Sequence, residues 1–134
     1  MEILAEASGH PEGADFRTVV ETGKHRLIID EPLELLGGDT GPDPYSLVLA
    51  ALISCTAITL KMYAGRKNWP LENAAVTCRL FRTQPGAPPE IERSIRLEGI
   101  LDENQQERLL QIANACPVHK LLSVGTQIHS HLDF

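Results

Sequence analysis

Two stretches of this chain alternate apolar and polar residues with a period of two: Ala74–Thr83 and Glu92–Gly99. That period marks strands with one buried and one wet face. Val76, Cys78 and Leu80 take the inner face of the first, Ile95 and Leu97 that of the second, and the Pro- and Gly-rich stretch 84–90 turns between them. Upstream, the short, mildly apolar Glu2–Ala7 and the β-branched runs Phe16–Glu21 and His25–Asp30 predict strands. Gly9–Gly13 and Thr22-Gly23-Lys24 supply the turns between them. Pro32 closes this part, and Leu35–Pro42 is a Gly-rich loop.

The pattern then changes. From Leu47 to Leu60 nearly every position is apolar, which predicts a helix buried on all sides. Asp43-Pro44 suits its start, because an aspartate accepts the first free N–H groups and proline fits the first helical position. Lys61, Arg66 and Lys67 suit its end, and Asn68-Trp69-Pro70 stops it. Asp102–Gln105 caps a second helix to about Ala115, with Leu109, Leu110, Ile112 and Ala113 inward. Pro117 opens a short helix to Leu122, and Val124–Leu132 reads as a closing strand. The order βββ-α-ββ-α-α-β, without internal repeats, predicts an α+β class and a single domain over residues 1–134.

Composition narrows the function. At 134 residues, 43% hydrophobic and 22% charged, the chain can bury one core. Its net charge of −6 argues against nucleic acid, which needs a basic face. The run 47–60 is too short to span a bilayer and Met1–Glu6 lacks an export pattern, so neither membrane insertion nor secretion is expected. Three cysteines without framework spacing fit a reducing compartment, and the cytoplasm is the expected location.

The chemistry rests on those cysteines. Cys78, on an inner strand face, reads as inert packing. Cys55 by itself reads the same way, embedded in the apolar helix. Cys116 stands directly before Pro117, where the unpaired N–H groups of a new helix favour a thiolate. Cys116-Pro117-Val118-His119 has zinc-like spacing, but no second close pair completes four ligands, and His119 reads as a solvent-facing helix residue. No metal or cofactor is expected. Gly-x-Ser-x-Gly, Gly-x-Gly-x-x-Gly and P-loop motifs are all missing, so Gly37-Gly38 is loop punctuation.

Residues 40–64, from Thr40-Gly41-Pro42-Asp43-Pro44 through Ser54-Cys55-Thr56 to Tyr63-Ala64, resemble the central helix of the OsmC/Ohr family. Ile112-Ala113-Asn114-Ala115-Cys116-Pro117-Val118-His119-Lys120-Leu121-Leu122 resembles its second cysteine motif, and residues 30–40 resemble the loop before the first. The likeness extends over almost the whole chain in the right order, and two independent cysteine motifs make it specific. The resemblance implies an antiparallel sheet packed around a long buried central helix, in an intertwined homodimer with active sites at the subunit interface.

It further implies a cysteine-dependent peroxidase for organic hydroperoxides. Cys55 would attack the peroxide, Cys116 would resolve the sulfenic acid as a Cys55–Cys116 disulfide, and an external thiol or dithiol would reduce it. Arg17 resembles the arginine that supports the thiolate, with Arg26 as the fallback. Tyr45, Leu52 and Ile53 would offer the substrate an apolar wall. The family also carries a glutamate at the start of the central helix that orients the arginine. Here Pro44-Tyr45-Ser46-Leu47 has none, so either Asp43 or Ser46 takes that role or the arginine is looser and turnover slower. The missing carboxylate leaves an alternative: a binding protein that holds an apolar ligand or electrophile in the interface pocket without turnover.

Overall fold

The computed structural model describes residues 1–133. The chain divides into two compact units, residues 1–48 and 49–134. Among the described residues they hold three α-helices and two antiparallel sheets, the α+β class that the pattern predicts.

The first unit is a three-stranded sheet in the order β1 (Ser8–Pro11), β2 (Thr18–Thr22), β3 (His25–Ile29). β2 and β3 fall where β-branched residues predict them, joined through Gly23 at φ +58°. β1 does not. The expected strand over 2–7 has no regular structure, and the pairing falls on Ser8–Pro11, expected to be a turn. Gly9 explains the choice: a Cβ there would lie 2.5 Å from the Val19 carbonyl oxygen, so only glycine lets the strands approach. The loop after β3 is tied by Asp30, which is buried and accepts from Glu31 N (2.8 Å), Thr40 N (3.2 Å) and Thr40 Oγ1 (2.6 Å). The Thr40 hydroxyl, more than any other group, holds its carboxyl below the usual carboxylate range. Gly37 is more than punctuation, since a Cβ would strike the Glu31 carbonyl at 2.0 Å.

Helix α1 (Pro44–Lys67) runs from this unit into the second. Its start and end are those predicted. Asp43 accepts from Ser46 N at 3.3 Å and from the Ser46 hydroxyl. Asn68 turns left-handed at φ +56°, and Trp69 N returns to the Ala64 carbonyl at 2.9 Å. Burial differs from expectation: Leu52, Thr56, Leu60 and Ala64 form one buried stripe, while Tyr45, Val48, Ile58 and Met62 stay exposed. A single copy of so short a chain lacks the elements to cover every face. By length and composition α1 can cross a membrane, which the 14 residues of the run 47–60 alone could not; of its stripe, Leu60 and Ala64 pack in the protein core.

In the second unit β4 (Asn73–Phe81) pairs antiparallel with β5 (Glu90–Glu98), placing Val76 opposite Ile95 and Cys78 opposite Arg93. Helix α2 (Glu103–Asn114) begins on a capping box, Asp102 accepting from Gln105 N and donating its own N–H to the Gln105 side chain. Leu60 and Ala64 meet Leu109 and Ala113 in the core, bordered by Ile95, Leu97 and Trp69. Ile112 is half-buried, but Leu110, expected inward, is 55% exposed, because the turn it shares with Leu109 can present only one of them to α1. Helix α3 (Pro117–Val124) runs two residues past its expected end. The expected strand 124–132 does not form: 125–133 have no regular structure, with Ile128 and Leu132 exposed. Strand backbone needs a neighbouring edge to pair with, whatever its side-chain pattern.

Candidate active site

Cys116 sits where α2 stops and α3 starts. Ala115 ends α2, Cys116 has extended backbone as N-cap, and Pro117 takes the first helical position. Its Sγ accepts the His119 N–H at 3.4 Å, the capping bond a serine oxygen usually accepts, and the residue is fully buried. Cys55 lies on α1 between Leu52 and Thr56, half-buried on the flank of the packed stripe. All three cysteines are free thiols.

Both cysteine motifs meet one arginine. Arg93 lies on the inner face of β5, in line with Ile91, Ile95 and Leu97. Its guanidinium donates to Thr56 Oγ1 at 3.0 Å, to Asn114 Oδ1 at 2.9 Å and to His119 Nδ1 at 3.1 Å. Thr56 follows Cys55 directly, while Asn114 and His119 stand on either side of Cys116. Cys78, opposite Arg93 across the hairpin, has its thiol pushed up by burial, against which the Arg93 charge acts only in part. It therefore stays protonated and keeps its reading as packing.

His119 is not the solvent-facing residue that its place on a short helix predicts: it is part-buried against Arg93. Arginine can only donate, so His119 Nδ1 carries the lone pair and the ring proton sits on Nε2. Burial first, and the Arg93 charge second, hold its pKa below the ordinary value. The neutral ring is thus the form that folding favours, and its contribution is complete above about pH 6.5. It is lost as the pH falls from about 6.5 to the depressed folded value, the range in which the unfolded state binds the extra proton. Between pH 7.5 and 5, urea midpoints of the wild type should fall more steeply than those of His119→Asn, which can still accept from Arg93 but cannot titrate. Parallel slopes in the two proteins would contradict this assignment.

An open cleft of about 440 Å³ adjoins the cluster. Leu52, Ile91, Leu110 and Leu122 line it with Arg93, Asn114 and His119. Of the three residues expected to form a substrate wall, Leu52 lines this cleft. Ile53 is half-buried on the next position of α1, and Tyr45 is exposed at its start.

Arg17 belongs to the first unit, where Glu12 bridges it to Arg26: Nη1 of Arg17 lies 3.3 Å and Nη2 of Arg26 3.1 Å from Glu12 Oε1. Asp43 and Ser46 are engaged with each other at the helix start. The carboxylate beside Arg17 is thus Glu12, which follows β1. Among the described residues no cluster of three or more His, Cys, Asp or Glu could hold a metal ion.

Sequence reasoning overlooked Arg93, Asn114 and Glu12. For Arg93 a signal existed: its register with Ile91, Ile95 and Leu97 puts a charge on the apolar face of an alternating strand. Glu12 left none, because only the β1–β2 turn brings it to the arginines.

The family model for OsmC-like protein matches residues 37–131, spanning α1 and both cysteine motifs. The chain belongs to the OsmC-like family. Solved structures agree in fold. An OsmC-like protein from Mycoplasma pneumoniae superposes with a TM-score of 0.77 at 17% identity, over 92% of this chain and 89% of that one. An organic hydroperoxide resistance protein OsmC from Legionella pneumophila gives 0.66 at 22% identity, over 90% and 89%. An organic hydroperoxide resistance protein from Elizabethkingia anophelis, with thiocyanate bound, gives 0.66 at 17% identity, over 90% and 88%. At these identities the likeness is one of fold. No curated protein matches the sequence. In this OsmC-like chain, Cys55, Cys116 and the Arg93 cluster all fall within the matched residues.

Proposed function

We propose that this chain, a single OsmC-like domain, is a thiol peroxidase that reduces organic hydroperoxides. The observation that carries the reading is that one side chain, Arg93, hydrogen-bonds the residue after Cys55 and residues on both sides of Cys116. The two cysteine motifs are therefore parts of one site. Hydroperoxide resistance in the names of two structural neighbours supports the choice of substrate.

The Cys55 thiolate attacks the distal peroxide oxygen; the O–O bond breaks, and the alkoxide takes a proton to leave as alcohol. Cys55 becomes a sulfenic acid. The Cys116 thiol attacks the Cys55 sulfur, the S–O bond breaks, and water leaves as the S–S bond forms. Two external thiols, or one dithiol, then reduce the disulfide and are themselves oxidised. No cofactor enters this cycle. Arg17, oriented by Glu12, is the cation assigned to the Cys55 thiolate, since a guanidinium stays charged and can fork between sulfur and peroxide oxygen. Leu52, Ile53 and Tyr45 provide the apolar wall that favours alkyl over small polar peroxides. Free thiols and the need for a thiol reductant favour the cytoplasm as its location. The exposed apolar face of α1 and the unpaired segment 125–133 favour a second copy of the chain as partner, in a homodimer.

Intact-mass measurement after one equivalent of tert-butyl hydroperoxide tests the reading. The wild type should lose about 2 Da as the disulfide forms, and a thiol should restore the original mass. The open, mostly apolar cleft favours a second reading, in which an apolar ligand or electrophile is held without turnover. A wild type that stays reduced, beside a peroxidase that is oxidised in the same buffer, would reject the first reading in favour of the second.

A further inference from the structure

A guanidinium on the apolar face of a strand is costly unless its donors are satisfied. Arg93 has no carboxylate partner among the ion pairs of the described residues, which join Glu12 to Arg17 and Arg26 and Arg79 to Glu92. It uses neutral acceptors from three different helices instead: Thr56 on α1, Asn114 at the end of α2 and His119 on α3. Each acceptor is itself fixed. Thr56 is fully buried and its hydroxyl proton goes to the Leu52 carbonyl at 2.6 Å, which leaves a lone pair for Arg93. Asn114 is the last residue of α2, and the His119 N–H is committed to Cys116 Sγ.

We propose that Arg93 is a positioning residue for the resolving step, holding the turn of α1 that bears Cys55 in register with the helix start that bears Cys116. The proposal rests on the peroxidase reading above. A disulfide requires its two β-carbons to come within about 3.5–4.5 Å, so the sulfenic acid of Cys55 is captured only while the Cys116 helix start is held close. Otherwise a second peroxide oxidises it to the irreversible sulfinic acid. The captured step releases water and needs no further oxidant: the S–O bond of Cys55 breaks, the Cys116 proton leaves with the hydroxyl group, and the S–S bond forms. A planar fork can hold three acceptors on three elements at once. A lysine ammonium keeps the charge but not the fork.

Rapid-quench intact mass with tert-butyl hydroperoxide separates the two steps. In Arg93→Met disulfide formation should slow by about tenfold to a hundredfold relative to consumption of the first equivalent of peroxide, the usual penalty for misplaced reacting groups. In excess peroxide this variant should gain about 32 Da as sulfinic acid where the wild type does not. Arg93→Lys should lie between them. Asn114→Ala removes one acceptor at an exposed position and gives a milder form of the same defect, readable even if Arg93→Met does not fold. Arg79→Met, on the exposed face of the hairpin, should leave the partition unchanged whatever it does to stability. Disulfide formation at the wild-type rate in folded Arg93→Met, without added over-oxidation, overturns the proposal. Asn114→Ala with a wild-type partition overturns it where Arg93→Met does not fold. A wild type that stays reduced removes the peroxidase reading itself, and the proposal with it.

Discussion

Cys55→Ser is expected to abolish hydroperoxide turnover, by on the order of a thousandfold or more in kcat/KM, as the loss of a nucleophile does. A serine hydroxyl stays protonated at neutral pH and cannot take up the peroxide oxygen as a sulfur does. The informative comparison is with the other two thiols. Cys116→Ser should still consume one equivalent of peroxide and then stall as the sulfenic acid, over-oxidising in excess and turning over only where an external thiol reaches Cys55 directly. Cys78→Ser should turn over as the wild type does, because burial holds that thiol protonated on the inner face of β4. Consumption of hydroperoxide, followed in a coupled thiol-oxidation assay, distinguishes the three. Unchanged activity in Cys55→Ser, or loss of activity in Cys78→Ser, would reassign the nucleophile.

Leu109→Ala should be the most damaging core substitution in the second unit. Leu109 is fully buried where α2 meets Leu60 and Ala64, and its truncation leaves a cavity that the neighbouring helix is too stiff to fill. Such changes cost about 2–5 kcal/mol, a large share of the 5–15 kcal/mol by which domains are usually stable. The loss reads as a drop of about 1–2 M in urea midpoint at a typical slope for a small protein. Leu110→Ala, one position along, should change the stability by only about 0.5 kcal/mol, as surface changes do. Equal losses at both positions would mean that something covers Leu110, and would support the second copy of the chain proposed as partner.

The two strands of the second unit were legible residue by residue, because a half-buried strand writes its geometry into the sequence as alternation. The caps were legible too: Asp43-Pro44, Asp102 with Gln105, and Cys116-Pro117 act within a few residues of themselves. The readings that failed depended on a neighbour. β1 falls on Ser8–Pro11 instead of the more apolar 2–7 because Gly9 can approach Val19, and a sequence shows a glycine but not what it faces. His119 reads as an exposed helix residue until β5 brings Arg93 to it. Segment 124–132 has a strand's composition, but it pairs with no strand among the described residues.

Local patterns in the sequence alone determined the class of fold, the extent of α1 and the two cysteine motifs, since each depends on spacing within one element. Only the tertiary structure decided that Arg93 joins those motifs, that Glu12 is the carboxylate beside Arg17, and that α1 buries a single stripe. These are meetings between elements distant in the chain. They follow from strand register and helix packing, and no local spacing encodes which side chains those will bring within hydrogen-bonding distance.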